Sequence, residues 1–183
     1  SIDLSVGSML SLAGVVMGLL VKHLGVDVWL AAGAAVLSGA VMGALNALCI
    51  TALRIPALIV TLGTLYIYGS AALVLTDTVP ISGLPERFYV LGQGEVLGIP
   101  LQVVLVFLPV AVLLHALLRH TVFGRHLYGV GTNEVAARFA AIPVERVRFW
   151  VFTLSGLLAG VAAVVITSRV ASARPDAGFG YEL

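Results

Sequence analysis

Asp3, Ser5, Asn46, Thr61 and Thr64 are hydrogen-bonding side chains at the edge of, or inside, long apolar runs, where a polar group is costly and therefore informative. They could line a polar path through the membrane, or bond to one another across helices. The hydroxyls of Thr61, Thr64 and Ser155 can also be satisfied by carbonyls of their own helices. Asp3 and Asn46 have more polar valence, and for them path lining and interhelical bonding both stay open. Nothing else in the chain forms a reactive set. His115, His120 and His126 flank the start of a polar loop without metal-ligand spacing. The sole cysteine, Cys49, leaves no disulfide framework and no cysteine metal site. The single lysine, Lys22, lies in no Gly-x-x-x-x-Gly-Lys-Ser/Thr phosphate loop. The chain is therefore not expected to be an enzyme or to need a cofactor or metal, and any ATP hydrolysis would be done by another chain.

The elements that hold these side chains are set by composition. With 60% hydrophobic and 10% charged residues and a mean hydropathy of +1.11, the solvent is lipid. The fold class is an all-α, polytopic transmembrane bundle, with apolar spans expected at 6–21, 28–50, 58–75, 101–118 and 149–167. The first run is not a signal peptide, because it opens with Asp3 rather than a basic segment and no cleavage site follows. Pro109 lies inside the fourth span and predicts a kink. Three Gly-x-x-x-Gly pairs, Gly14/Gly18, Gly39/Gly43 and Gly156/Gly160, permit close helix approach, with packing inside the chain the ordinary use.

The polar stretch Thr121–Arg148 orients the bundle. Arg119, Arg125, Arg138, Arg146 and Arg148 face only Glu134 and Glu145, and positive charge near span ends marks the cytoplasmic side. Counting from this loop places Arg54 and Ser1 inside, and 22–27, 76–100 and 169–183 outside. The net charge of +1, concentrated in one loop, gives no reason to expect nucleic acid. Within the loop, Gly129-Val130-Gly131 reads as a turn, Thr132-Asn133 as a helix start, and 134–141 as a two-turn helix stopped by Pro143. Such a helix is marginal in water and needs a surface. Lipid headgroups and a soluble partner are both open. The outer connection 76–100, rich in Pro and Gly, reads as an irregular loop with one short turn on the membrane. The chain starts without Met and stops without a polar tail, and is read as a single transmembrane domain, 1–183, cut from something longer.

Several stretches carry a resemblance: Ile2-Asp3-Leu4-Ser5-Val6-Gly7-Ser8, Ile55-Pro56-Ala57 with Val60-Thr61-Leu62-Gly63-Thr64, and Pro80-Ile81-Ser82-Gly83-Leu84-Pro85. Further on they are Thr121-Val122-Phe123-Gly124-Arg125 through Tyr128-Gly129-Val130-Gly131, Asn133-Glu134 with Ala136-Ala137-Arg138, and Leu154-Ser155-Gly156-Leu157-Leu158-Ala159-Gly160. On these the chain resembles the permease subunits of monosaccharide ABC importers, the ribose, xylose and arabinose group with the autoinducer-2 and rhamnose permeases. The resemblance implies a multi-pass protein of the bacterial inner membrane. It also implies partnership with a second permease chain, an ABC ATPase subunit and a periplasmic or lipoprotein sugar-binding protein. It makes 121–148 the ATPase-coupling loop, with contacts at Gly124, Arg125, Gly131, Asn133, Ala136, Ala137 and Arg138. Thr132, and Ala140-Ala141-Ile142, depart from the pattern common in that family. A branched-chain amino-acid permease and an ion-coupled carrier are the rival readings; the latter would need ionisable relays in mid-span, which only Asp3 approaches.

Overall fold

The computed structural model describes residues 2–181. The expected placement of Ser1, and Glu182 and Leu183, lie outside the described residues. Five helical segments are long and apolar enough to cross a bilayer: α1 (Val6–Leu24), α2 (Val28–Thr51), α3 (Ala57–Leu75), the segment Val103–His120, and α8 (Val144–Val170). Each extends the span expected from sequence by a few residues, except that the fourth starts two residues later. Asp27 sets the start of α2 by accepting the Trp29 N–H at 2.9 Å, and left-handed Gly25 ends α1.

The fourth span opens with a π-helical turn, Val103–Phe107, and continues as α5 (Leu108–His120). Pro109 has no N–H and its ring crowds the carbonyl one turn earlier. The wider turn before it resolves that clash, so the expected kink takes the form of a π turn. This span buries none of its residues and leaves an apolar groove of about 350 Å³ against α8, between Val106 and Val165.

The bundle is centred on α2 and α8, which make its most extensive contact. Gly39 and Gly43 of α2 lie directly on Gly156 and Gly160 of α8: a Cβ on Gly156 would overlap the Gly39 carbonyl oxygen, and one on Gly43 the Phe152 carbonyl oxygen. The pairs are thus used inside the chain, in an antiparallel crossing. The core cluster around Met9, Ala13, Met17, Ala31, Ala35 and Ala163 fills the space where α1 meets this pair. At the opposite end Ala47, Ile50, Val60 and Phe152 form a second cluster.

The outer connection is more ordered than expected. Strand β1 (Ile81–Ser82), helix α4 (Glu86–Gln93) and the ribbon of β2 (Glu95–Val96) with β3 (Ile99–Pro100) replace the irregular loop. Phe88 is fully buried, and Ser168 joins α4 to α8 by donating to the Phe88 carbonyl at 2.6 Å and accepting from Gly92 N–H at 2.9 Å. These tertiary bonds order a stretch whose composition signals only turns. Lys22 donates to the Ser82 carbonyl, Arg87 pairs with Asp27, and β1 pairs antiparallel with β4 (Ser172–Ala173). The segments assigned to one side by charge therefore do meet at one end of the bundle.

Two predictions follow from these contacts. Gly156→Ala must push α2 and α8 apart and should destabilise the protein by about 1–3 kcal/mol. Gly33→Ala, which meets open space, should not; equal unfolding midpoints in mixed micelles would contradict the crossing. The Asp27 carboxyl is held below its ordinary value, first by the Trp29 N–H and then by Arg87. Its link to α4 is therefore present at neutral pH, complete above the unfolded value of about 3.9, and lost as pH falls through the depressed folded value. In a carboxyl NMR titration Arg87→Ala should raise the Asp27 pKa without restoring it fully, since the Trp29 bond remains.

Candidate functional site

Polar side chains gather in two places. The first is inside the bundle, where α1 begins after the non-helical residues 2–5. Asp3 Oδ1 accepts from Ser5 N–H at 3.0 Å and from Ser5 Oγ at 2.6 Å, and Asp3 Oδ2 accepts from Ser155 Oγ at 3.3 Å. Ser5 Oγ in turn accepts from Asn46 Nδ2 at 2.8 Å, and Asn46 Oδ1 accepts from the Tyr68 hydroxyl at 3.3 Å. The donors run in series from α3 through α2 to α1 and end on the Asp3 carboxylate, with α8 joining from the other side. In a low-dielectric interior such a series is strong when complete and costly when broken.

Of the path residues expected from sequence, Ser5, Asn46 and Thr61 are buried. Asp3 and Thr64 are partly exposed. Thr61 Oγ donates to the Ile2 carbonyl at 3.5 Å, anchoring the non-helical segment, while Thr64 bonds only to its own helix, at Val60 and Thr61. Sequence reasoning missed Tyr68. The signal was the spacing 61, 64, 68, which lines up polar groups along one face of α3.

The second site is the loop at the opposite end from α4. Here α6 (Val122–Thr132) runs through Gly129 and Gly131, where a turn was expected. Thr121 starts it by accepting the Gly124 N–H at 3.1 Å. Helix α6 lies against α8, and its Leu127 and Val130 face Val147, Val151 and Phe152 of α8 across a cleft of about 480 Å³. Asn133 then caps α7 (Glu134–Phe139) by accepting the Ala136 N–H at 3.0 Å. The helix is shorter than the expected 134–141, because Ala141 takes a left-handed conformation ahead of Pro143.

Four charges tie α7 to α8. Arg138 Nη2 donates to Glu134 at 3.0 Å and to Glu145 at 2.5 Å, and Arg148 pairs with both Glu134 and Glu145. The two carboxylates, Glu145 first, raise the Arg138 pKa further above its ordinary value. Both acids of the loop are thereby neutralised, and Arg119, Arg125 and Arg146 make no ion pair among the described residues. Of the expected coupling residues, Arg125, Gly131, Asn133, Ala136 and Arg138 are exposed. Ala137 packs inward, and Gly124 is buried so tightly under Leu118 that a Cβ would overlap its carbonyl. Phe139, 88% exposed, and Val135 stand outward from α7.

The pattern of the family described as branched-chain amino acid transport system / permease component matches residues 1–183. The chain is 42% identical over 185 residues to the ribose import permease protein of Bacillus subtilis (strain 168), covering 100% of this chain and 56% of that protein. It is 38% identical over 189 residues to the ribose import permease protein of Escherichia coli (strain K12), covering 100% and 57%. To the L-arabinose transport system permease protein of Escherichia coli (strain K12) it is 35% identical over 183 residues, covering 99% and 55%. The chain thus spans a little over half the length of these relatives. No solved structure matches.

The buried series generates a stability prediction. Asn46→Ala leaves the Tyr68 hydroxyl with only the Met42 carbonyl and removes a donor from Ser5, and should cost about 1–2 kcal/mol. Thr64→Ala, which gives up only bonds within its own helix, should stay within about 0.5 kcal/mol. Unfolding in mixed micelles measures both, and an Asn46 effect no larger than that of Thr64 would show the series to be energetically idle.

Proposed function

The chain belongs to the branched-chain amino acid transport system / permease component family, and from that premise we propose that it is the membrane-spanning permease part of an ATP-driven, binding-protein-dependent monosaccharide importer. It sits in the bacterial cytoplasmic membrane as a multi-pass protein and works by alternating access. The relatives, two ribose import permeases and one L-arabinose transport system permease, support a sugar over an amino acid. The series around Asp3 offers donors and acceptors suited to an uncharged solute, with no cation inside it to meet a substrate carboxylate. Its partners on this reading are an ABC ATPase subunit, a second permease chain, and a periplasmic or lipoprotein sugar-binding protein.

The observation that carries the reading is the charged link between α7 and α8. Helix α8 has 27 residues and, at 1.5 Å per residue, spans about 40 Å, longer than a hydrocarbon core of about 30 Å. Its first turns and α7 therefore project beyond the apolar layer, with Phe139 and Val135 facing outward. This supports α7 as a knob seated in the ATPase rather than a helix lying on headgroups. A push on α7 reaches α8 through the pairs of Arg138 and Arg148. From α8 it reaches α2 through the facing glycines and α1 through Ser155 and Asp3. Ser5, Asn46 and Thr61 anchor this train, while Asp3 and Thr64 border the path.

In the intact parent protein, Arg138→Glu places a third carboxylate among the first two. Insertion and expression should be unchanged, while uptake of the transported sugar should fall by about tenfold or more, the scale of one lost charge-assisted contact. ATP hydrolysis by the co-purified partner should lose its dependence on the loaded binding protein. Uptake equal to that of the parent would reject the coupling role.

A further inference from the structure

The stretch after α8 is not the outer loop that its position suggests. Ala171 reverses the chain with φ 58°, and β4 brings Ala173 against Gly18 of α1. Successive turns, with Ala177 N–H bonded to the Arg174 carbonyl and Phe179 N–H to that of Asp176, then carry the chain along α1. They deliver Gly178 to Ser11, whose Oγ accepts the Gly178 N–H at 2.9 Å, and so close to Gly7 that a Cβ would overlap its carbonyl oxygen. Helix α1 ends at Leu24. At 1.5 Å per residue Gly18 lies about 9 Å below that end, and Gly7 and Ser11 about 20–25 Å below it. Residues 171–181 therefore re-enter the membrane and descend past its middle.

Non-helical backbone at that depth persists only where protein covers it or where it lines water. One side is covered: Ala173, Pro175 and Gly178 are buried. The other side presents Arg174, Asp176, Phe179 and Tyr181, all exposed. Arg174 Nε and Nη2 bond both Asp176 oxygens, at 3.0 and 2.9 Å, and the two side chains keep 49% and 53% exposure. A charged pair at this depth does not face acyl chains, so it faces protein or water.

We propose that residues 171–181 line the water-filled translocation path, and that the Arg174–Asp176 pair, flanked by Phe179 and Tyr181, is a contact site there for an uncharged polyol. The pair has no net charge, which lowers its desolvation cost. It keeps unused guanidinium donors beside unused carboxylate lone pairs, a pattern that adjacent sugar hydroxyls satisfy in both senses. The two aromatic rings offer apolar faces for the sugar's C–H side. A zwitterion would have to separate the pair to use it. The proposal rests on the importer reading and sharpens it, since a charged pair rather than hydroxyl and amide groups alone meets the solute.

The test uses the intact parent protein with its partners in proteoliposomes, in a background in which Cys49 and every other cysteine of the parent are replaced by alanine. Phe179→Cys, which keeps the pair, and Asp176→Cys are exposed to a membrane-impermeant methanethiosulfonate. Asp77→Cys in the outer connection and Ile67→Cys on the exposed face of α3 serve as references. Both test positions should react within about tenfold of Asp77→Cys, as water-lining sites do, and far faster than Ile67→Cys. D-ribose or L-arabinose should slow reaction at Phe179→Cys, L-leucine should not, and adding Arg174→Gln with Asp176→Asn should abolish the protection. Rates as slow as at Ile67→Cys would overturn the lining role. Protection by L-leucine, by neither sugar, or unchanged without the pair would overturn the polyol contact. Uptake by the unmodified parent is measured separately, so failure of the importer reading shows there and failure of this inference shows in the labelling.

Discussion

Where α2 crosses α8, backbone lies on backbone, because Gly39, Gly43, Gly156 and Gly160 present no side chain to hold the helices apart. In lipid no hydrophobic force brings helices together, so association depends on close van der Waals packing and on polar groups that find partners. The glycine contact supplies the first. It also creates the platform on which α1 is laid, with Met9, Ala13 and Met17 packed into the angle between the pair. The fourth span has no such contact and buries nothing.

The second requirement is met by the series ending on Asp3. Its members come from three helices and the segment leading into α1, and no two are close in sequence except Asp3 and Ser5. It sits where α1 starts inside the bundle rather than at its surface, and the re-entrant stretch at 171–181 comes down against the same part of α1. The non-helical residues before α1 and the stretch after α8 thus meet on one side of a single helix. Broken helices at membrane depth are where transporters place solute, because only there do backbone and side-chain polar groups stay available without being spent on the helix itself.

Between the projecting α7 and this region the mechanical connection is short. Arg138 and Arg148 make α7 and the start of α8 one unit by four mutual charges, each pair worth little alone at such exposure but held in a network. Ser155 lies only two turns further along α8 from Arg148. On the proposed coupling no separate lever is required, since α8, which α7 would push, also carries a donor to Asp3.

Composition and run length alone determine the solvent, the five spans and their alternation, because twenty or so apolar residues have one stable home and the charge bias orients them. The capped start of α7 at Asn133 and the glycine pairs were equally legible, since each depends on neighbours one turn apart. What only the tertiary structure decided depends on residues far apart in sequence. Gly129 and Gly131 lie in a helix whose Leu127 and Val130 face α8, a contact that local propensity does not contain. Helix α4 is ordered by Ser168, 80 residues from Phe88. Tyr68 belongs to the polar series because α2 places Asn46 beside it. Above all, 171–181 reads as an outer loop by counting spans from the arginine-rich loop, yet Gly178 meets Gly7 and Ser11. A re-entrant turn leaves no periodicity in the sequence, because its backbone is satisfied by a helix that was laid down at the other end of the chain.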